Sequence, residues 1–270
     1  MIENVGIIGN GFVGNALYEN FRYRTPTRVY DIDPNKSKHT YEQVLSADVV
    51  FVCLPTPMVD NGECNTEYIW KFFEEVPLHT PCLFVIKSTI PIGTTDQITN
   101  FRTDLNILHN PEFLTAENAQ RDFFNCDRNV IGGDPYYCNL LKEFFYRIFP
   151  EWEEKNIPCY LVKSRESEMI KYFSNSFLAV KIAYFNHVYQ TCEYFEGDFG
   201  VVRNAIVQDK RIGSSHTKVP GPDGQFGFGG FCFPKDINAL IHTLKKFNID
   251  ASLLEASWVY NTKVREEFNS

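Results

Sequence analysis

Near the C-terminal end, Phe226-Gly227-Phe228-Gly229-Gly230-Phe231-Cys232-Phe233-Pro234-Lys235-Asp236 places a thiol just after a glycine-rich loop, with an ammonium and a carboxylate three and four residues later. Glycine lets backbone approach a ligand closely. A thiolate becomes an effective nucleophile where a neighbouring cation lowers its pKa. The run fits covalent catalysis through Cys232; taken alone, it fits equally a glycine turn before a helix with a buried cysteine.

At the other end, Gly9-Asn10-Gly11-Phe12-Val13-Gly14 follows a short apolar strand and precedes a helix expected over Asn15–Phe21. The spacing alone is common by chance, but the setting matches a dinucleotide turn. The first glycine makes the bend, the second admits a pyrophosphate, and the third lets helix and strand pack closely. The helix start offers its N–H groups to phosphate. A second strand, Arg28–Asp31, ends in a carboxylate seventeen positions after Gly14. Such a group accepts from a ribose 2′-OH and repels a 2′-phosphate, which points to NAD rather than NADP. The alternative is a βαβ unit whose glycines serve packing only.

The elements that must position these groups change character along the chain. Val5–Gly9, Arg28–Asp31, Val49–Leu54, Cys82–Lys87, Leu105–His109, Asn129–Gly132 and Pro158–Val162 read as strands separated by polar or amphipathic stretches. That alternation predicts an α/β fold, a Rossmann-type parallel sheet with helices on both faces. From about Ser164 the pattern is helical. Glu166–Glu196 carries Met169, Tyr172, Phe173, Phe177, Val180, Ala183 and Tyr184 at helical spacing, without Gly or Pro. A helix of that length joins domains or packs on a second copy of itself. Further helices are expected after Asp236 and from about Ala251. The expected division is 1–163, a NAD-binding Rossmann domain, and 164–270, an all-α domain with a long central helix serving dimerisation and catalysis.

Composition narrows the class. The 270 residues are 44% hydrophobic, with 24 Phe and 14 Tyr, enough for a folded chain with a sizeable core. A formal charge of -8 argues against non-specific nucleic-acid binding. Eight cysteines show no CxxC pair and no Cys/His spacing typical of zinc, so no metal is expected and the thiols should stay reduced. No basic leader precedes an apolar stretch, and no segment approaches a membrane span. The expectation is a soluble, cytoplasmic protein.

Four further segments carry a specific resemblance: Cys53-Leu54-Pro55-Thr56-Pro57, Lys87-Ser88-Thr89-Ile90-Pro91-Ile92-Gly93-Thr94-Thr95, Asn110-Pro111-Glu112-Phe113-Leu114, and Glu168-Met169-Ile170-Lys171-Tyr172 with Asn175 one turn on. Together with the two glycine runs, in this order and roughly this spacing, they resemble the UDP-glucose/GDP-mannose dehydrogenase family, and within it the UDP-glucose 6-dehydrogenases. The resemblance runs from residue 5 to about 265.

It implies two successive hydride transfers to NAD+ that take a sugar C6 alcohol to an acid. A cysteine traps the aldehyde as a thiohemiacetal, which is oxidised to a thioester and hydrolysed. Carried over, Cys232 is the nucleophile. Lys171 and Asn175 stabilise the oxyanion from one helix face, and Asp236 helps to place a water or proton. Glu112 is the general base for hydrolysis, while Thr89 orients a water or bonds its own backbone. Gly9, Gly11, Phe12, Val13, Gly14, Asp31, Pro55, Thr56 and Thr89 surround the cofactor. Glu112, Phe113, Leu114, Lys171, Asn175, Arg211, Lys218, Phe228 and Gly229 meet a nucleotide-sugar substrate, with Arg211 reaching the neighbouring subunit of a homodimer. The Pro220–Gly224 insertion is expected to be mobile without substrate.

Two departures stand against the family pattern. Ala116 occupies the position of a usual glutamate, with Glu117 next, and the chain stops at Ser270, where typical members continue into a second α/β domain. Two other readings are a two-electron hydroxyacid dehydrogenase that needs no thiol, and a non-catalytic relic that binds NAD.

Overall fold

A computed structural model describes residues 1–115 and 118–268. The strands are β1 Val5–Ile8, β2 Thr27–Tyr30, β3 Val49–Val52, β4 Leu83–Ile86, β5 Asn106–His109, β6 Asn129–Gly132 and β7 Cys159–Val162. The helices are α1 Phe12–Phe21, α2 Tyr41–Leu45, α3 Glu67–Glu75, α4 Thr94–Phe101, α5 Ala119–Phe124, α6 Pro135–Ile148, α7 Pro150–Glu154, α8 Ser164–Tyr194, α9 Phe199–Val207, α10 Cys232–Lys246 and α11 Ser252–Phe268. The chain divides into two compact units: Met1–Pro57 with Asn65–Lys171, and Met58–Cys64 with Tyr172–Ser270.

In the first unit the strand order is β2-β1-β3-β4-β5-β6-β7. Alternate strand residues point to opposite faces, so each strand feeds two cores. Val49, Phe51 and Val85 pack with Phe21, Phe145 and Trp152 on one face. Val50, Val52, Phe84 and Ile86 pack with Ile69, Phe73 and Ile98 on the other. This double burial explains why the strands read as continuous apolar runs rather than as alternating patterns.

The Rossmann-type sheet followed by a helical region is as expected, with one local departure. The sheet is not wholly parallel, because β5 and β6 pair antiparallel, with His109 opposite Gly132. Among its described residues, the connection between them holds one helix, the six-residue α5, whose Phe123 packs against Phe21 of α1. A parallel crossover takes a dozen or more residues, usually with an α-helix laid over the sheet. The fourteen-residue α6 supplies one, and β7 is again parallel to β6.

In the second unit a small core of Ala179, Ala183, Phe228, Ile237 and Ile241 joins α8, α10 and the glycine-rich segment. Helix α10 begins two residues before Pro234, at Cys232 itself. Proline is tolerated in a first turn, where its missing N–H has no intrahelical partner to lose. Sequence periodicity also missed α9, which Asp198 caps by accepting from the Val201 N–H. Among the described residues no helix is long and apolar enough to cross a membrane, and no group of three His, Cys, Asp or Glu could hold a metal ion.

Candidate active site

The strand order reverses between β1 and β3, and ligands of open α/β sheets bind outside the carboxyl ends of strands at such a point. The glycine turn lies there. Gly9 has φ +88°, and a Cβ on it would lie 2.5 Å from the Cys53 carbonyl oxygen. A Cβ on Gly14 would lie 1.8 Å from the Gly9 oxygen, so these two glycines are required by packing. Gly11 differs, because a Cβ there meets nothing within 4 Å. It faces open space at the start of α1, and no side chain caps that terminus. Asp31 follows β2, with one carboxylate oxygen accepting from the Asn10 N–H at 2.6 Å and the other from the Asp33 N–H at 2.9 Å. It borders a shallow hollow shared with Tyr30, Ile32, Pro34, Lys38 and His39. An open glycine, an uncapped helix start and a carboxylate beside a hollow fit a dinucleotide with a free 2′-OH.

The turns after β3 and β4 are tied together. The Thr56 hydroxyl donates to the Thr89 carbonyl at 2.9 Å, and the Ser88 hydroxyl to the Leu54 carbonyl at 2.6 Å. Thr56 and Thr89 are both buried, whereas Pro55 is exposed.

After β5 the chain carries Glu112 to Lys171. The Lys171 ammonium donates to the Glu112 carboxylate at 2.8 Å and to its backbone carbonyl at 2.6 Å, with both side chains buried. The other Glu112 oxygen accepts from the Leu114 N–H at 2.6 Å. Burial pushes the Glu112 carboxyl up, but the Lys171 charge and hydrogen bond, the Leu114 N–H and the Lys87 charge outweigh it, leaving the pKa lowered. The group is an ionised carboxylate at neutral pH. Two cations approach the Phe113 ring, Arg128 at 3.9 Å and Lys171 at 5.5 Å from its centre.

Three buried groups that sequence reasoning did not single out support this arrangement. Lys87 donates to the Asn110 side chain at 3.0 Å and to the Pro111 carbonyl at 3.3 Å, and burial pulls its pKa down to about 8. His109 holds the Ser167 hydroxyl at 2.5 Å, and burial lowers its pKa to about 3, so the ring is neutral. Glu168 accepts from the Gly93 N–H at 2.5 Å, and from the Thr95 N–H and hydroxyl at 2.8 and 2.6 Å. It thereby caps α4 from α8, and burial raises its carboxyl to about 7. A lysine closing an apolar strand and a glutamate one turn before Lys171 were the available signals.

In the second unit Cys232 is exposed at the first turn of α10. Asp236, one turn on, is buried and accepts from the Asn175 amide at 2.6 Å and from Lys235 at 2.5 Å. Lys171 and Asn175, four apart on α8, therefore bond different carboxylates. Arg211 is exposed and pairs with Asp209 at 2.6 Å within its own loop. Lys218 is exposed too. Phe228 has its ring in the core and its backbone N–H and carbonyl bonded to Asn261 at 2.6 and 3.0 Å. Gly229 packs against the Arg265 guanidinium. The Pro220–Gly224 insertion, expected to be mobile, is tied to α11 by an Arg265–Asp223 ion pair at 3.2 Å. Ala116 and Glu117 lie outside the described residues.

The fold and the glycine turn together define the class, a dinucleotide-binding α/β protein followed by a helical region. The chain belongs to the UDP-glucose/GDP-mannose dehydrogenase family, whose NAD binding domain matches residues 35–152 and whose central domain matches residues 165–263. NAD is accordingly the cofactor of the Rossmann part. A UDP-glucose 6-dehydrogenase of Bacillus subtilis is 38% identical over 228 residues, covering 80% of this chain and 49% of the relative. The solved UDP-glucose dehydrogenase of the archaeon Pyrobaculum islandicum matches with TM-score 0.82 at 25% identity, covering 97% of this chain and 68% of that one. The 3-hydroxyisobutyrate dehydrogenase of Mycobacterium tuberculosis shares the fold alone, at 16% identity and TM-score 0.72, over 99% of this chain and 95% of that one. The chain spans about half the length of the relatives it matches in sequence.

Proposed function

We propose that the chain oxidises the C6 alcohol of a nucleotide sugar to the carboxylate, of the UDP-glucose to UDP-glucuronate type, in two NAD-dependent steps. The observation that carries this reading is an exposed thiol opening α10, one turn from a buried aspartate bonded to Asn175, in a chain of this family. Bound NAD+ accepts a hydride from C6 in each oxidation. An aldehyde has no hydride to give until a nucleophile adds to its carbonyl, and Cys232 supplies that nucleophile. The new S–C bond turns the carbonyl oxygen into an oxyanion, for which Lys171 and Asn175 are the donors. The second hydride loss leaves a thioester. Water attacks it, the C–S bond breaks, and the acid is released with the thiol regenerated. Glu112 takes the water's proton, with Thr89 orienting that water and Asp236 placing a proton. The balance is one alcohol, two NAD+ and one water to one carboxylate, two NADH and three protons.

In this reading Phe113, Leu114, Arg211, Lys218, Phe228 and Gly229 hold the sugar nucleotide, with Arg211 reaching a second subunit. Residues 1–163 bind the cofactor, and 164–270 dimerise, in the cytoplasm. What supports a dimer is that Phe173, Phe177 and Tyr184 lie exposed at helical spacing on α8. Phe177→Asp should shift sedimentation towards a single chain of 31.3 kDa, and a wild-type protein already at that mass at micromolar concentration defeats the dimer.

For the reaction, the purified chain is mixed with NAD+ and UDP-glucose while NADH absorbance is followed. Two NADH per sugar, abolished by Cys232→Ser, is the expected result. Absence of turnover with UDP-glucose, GDP-mannose and UDP-N-acetylhexosamines refutes the proposal.

A further inference from the structure

The segment that leads into Cys232 is gripped by three side chains outside the residues given a chemical role above. Asn186 of α8 accepts from the Gly227 N–H at 2.9 Å. Asn261 of α11 takes both polar groups of Phe228, accepting from its N–H at 2.6 Å and donating to its carbonyl at 3.0 Å. Arg265, one turn after Asn261, donates to the Phe226 carbonyl at 3.3 Å, pairs with Asp223 at 3.2 Å and also bonds the Gln225 side chain. Asn186 and Asn261 are each 2% exposed, so these bonds form away from water, where an unmet backbone group is costly.

The glycines match the grip. A Cβ on Gly227 would lie 2.5 Å from the Asn261 side-chain oxygen, and Gly227 has φ +72°. A Cβ on Gly229 would fall 2.6 to 2.7 Å from the Arg265 guanidinium. Gly230, by contrast, has φ +73° and nothing within 4 Å of its would-be Cβ. Two glycines thus admit the clamp, while Gly230 faces open space beside Cys232.

We propose that Asn261 and Arg265, with Asn186, are positioning residues that hold the 223–229 loop in one conformation before substrate arrives, so that the loop's open side and the Cys232 thiol are presented together. The role in catalysis rests on the reading of Cys232 as nucleophile; the preorganisation of the loop does not. A loop fixed in advance spares its ordering cost on binding. The clamp therefore acts on substrate affinity more than on the chemical step.

The test uses the full chain, with Arg265→Met, Asn261→Asp and Asn261→Ala. Amide hydrogen exchange is measured by mass spectrometry on peptides covering 219–233, and melting is recorded in parallel. Arg265 is partly exposed, and its variant should fold. Asn261→Asp keeps the acceptor for Phe228 and loses the donor, so it should fall between wild type and Asn261→Ala. We expect exchange in 223–229 to quicken about tenfold in Arg265→Met, and more in Asn261→Ala, with exchange in the β1–β5 peptides unchanged. In the turnover assay KM for the nucleotide sugar should rise several-fold while kcat falls less than twofold and NAD affinity stays constant. Unchanged exchange in folded Arg265→Met and Asn261→Asp overturns the clamp. A fall in kcat at constant KM overturns the affinity role. If wild type shows no turnover, the proposed function fails, while the exchange result still decides the clamp.

Discussion

Replacing Lys171 by Met tests the buried pair on which the proposed site depends. The ammonium lies 2.8 Å from the Glu112 carboxylate, and the two side chains are only 3% and 9% exposed. Methionine keeps most of the volume and removes the charge. Glu112 then stays buried with the Leu114 N–H but without its nearest cation. Breaking a buried pair from one side costs about 3–5 kcal/mol. With a urea m-value of about 3 kcal/mol/M, the midpoint for the first unit should fall by about 1–1.7 M.

The pH dependence gives a second check. In the wild type the Glu112 carboxyl is lowered below 4.5, so its contribution is present above that value and lost as pH falls through its folded pKa. Without Lys171, burial is the largest influence left on the carboxyl and works against its ionisation. The deficit of Lys171→Met should then be greatest at about pH 8 and shrink towards about pH 5 as Glu112 takes up a proton. Adding Glu112→Gln should restore most of the loss. Urea titrations followed by circular dichroism at both pH values supply the measurement. A loss below about 1 kcal/mol, or a double variant no better than the single one, would refute the reasoning.

Glu168 gives the opposite sign. Its carboxyl is raised from 4.5 to about 7, so the folded chain holds a proton that the unfolded chain releases, and stability falls as pH rises through that window. The shift corresponds to roughly 3 kcal/mol, and Glu168→Gln should flatten the fall between about pH 5 and about pH 8. An unaltered pH profile in that variant would exclude Glu168 as its source. Gly11→Ala should leave the melting temperature within a few degrees of wild type yet weaken NAD binding by calorimetry, whereas Gly14→Ala should damage the fold, since its Cβ has 1.8 Å of room. Tight NAD binding by Gly11→Ala would show that the open face of that turn is not where the pyrophosphate lies.

What could be read from the residues is local. The glycine turn, the apolar strands, Asp31 after β2 and the unbroken run of α8 each follow from patterns spanning a few residues, and the chain's family is written in short motifs. Direction and partnership were not readable in this way. The alternation of strands and helices does not say that β6 turns back against β5, because that depends on where the short α5 packs. Periodicity placed Tyr172, Phe173, Phe177 and Ala183 on one helix, yet Tyr172 and Ala183 are buried while Phe173 and Phe177 are exposed. Nor does it pair Lys171 with Glu112 across 59 residues, or Asn175 with Asp236 across 61. A side chain's charge belongs to its sequence, but what it costs and what it can do depend on the buried neighbours that tertiary packing brings to it.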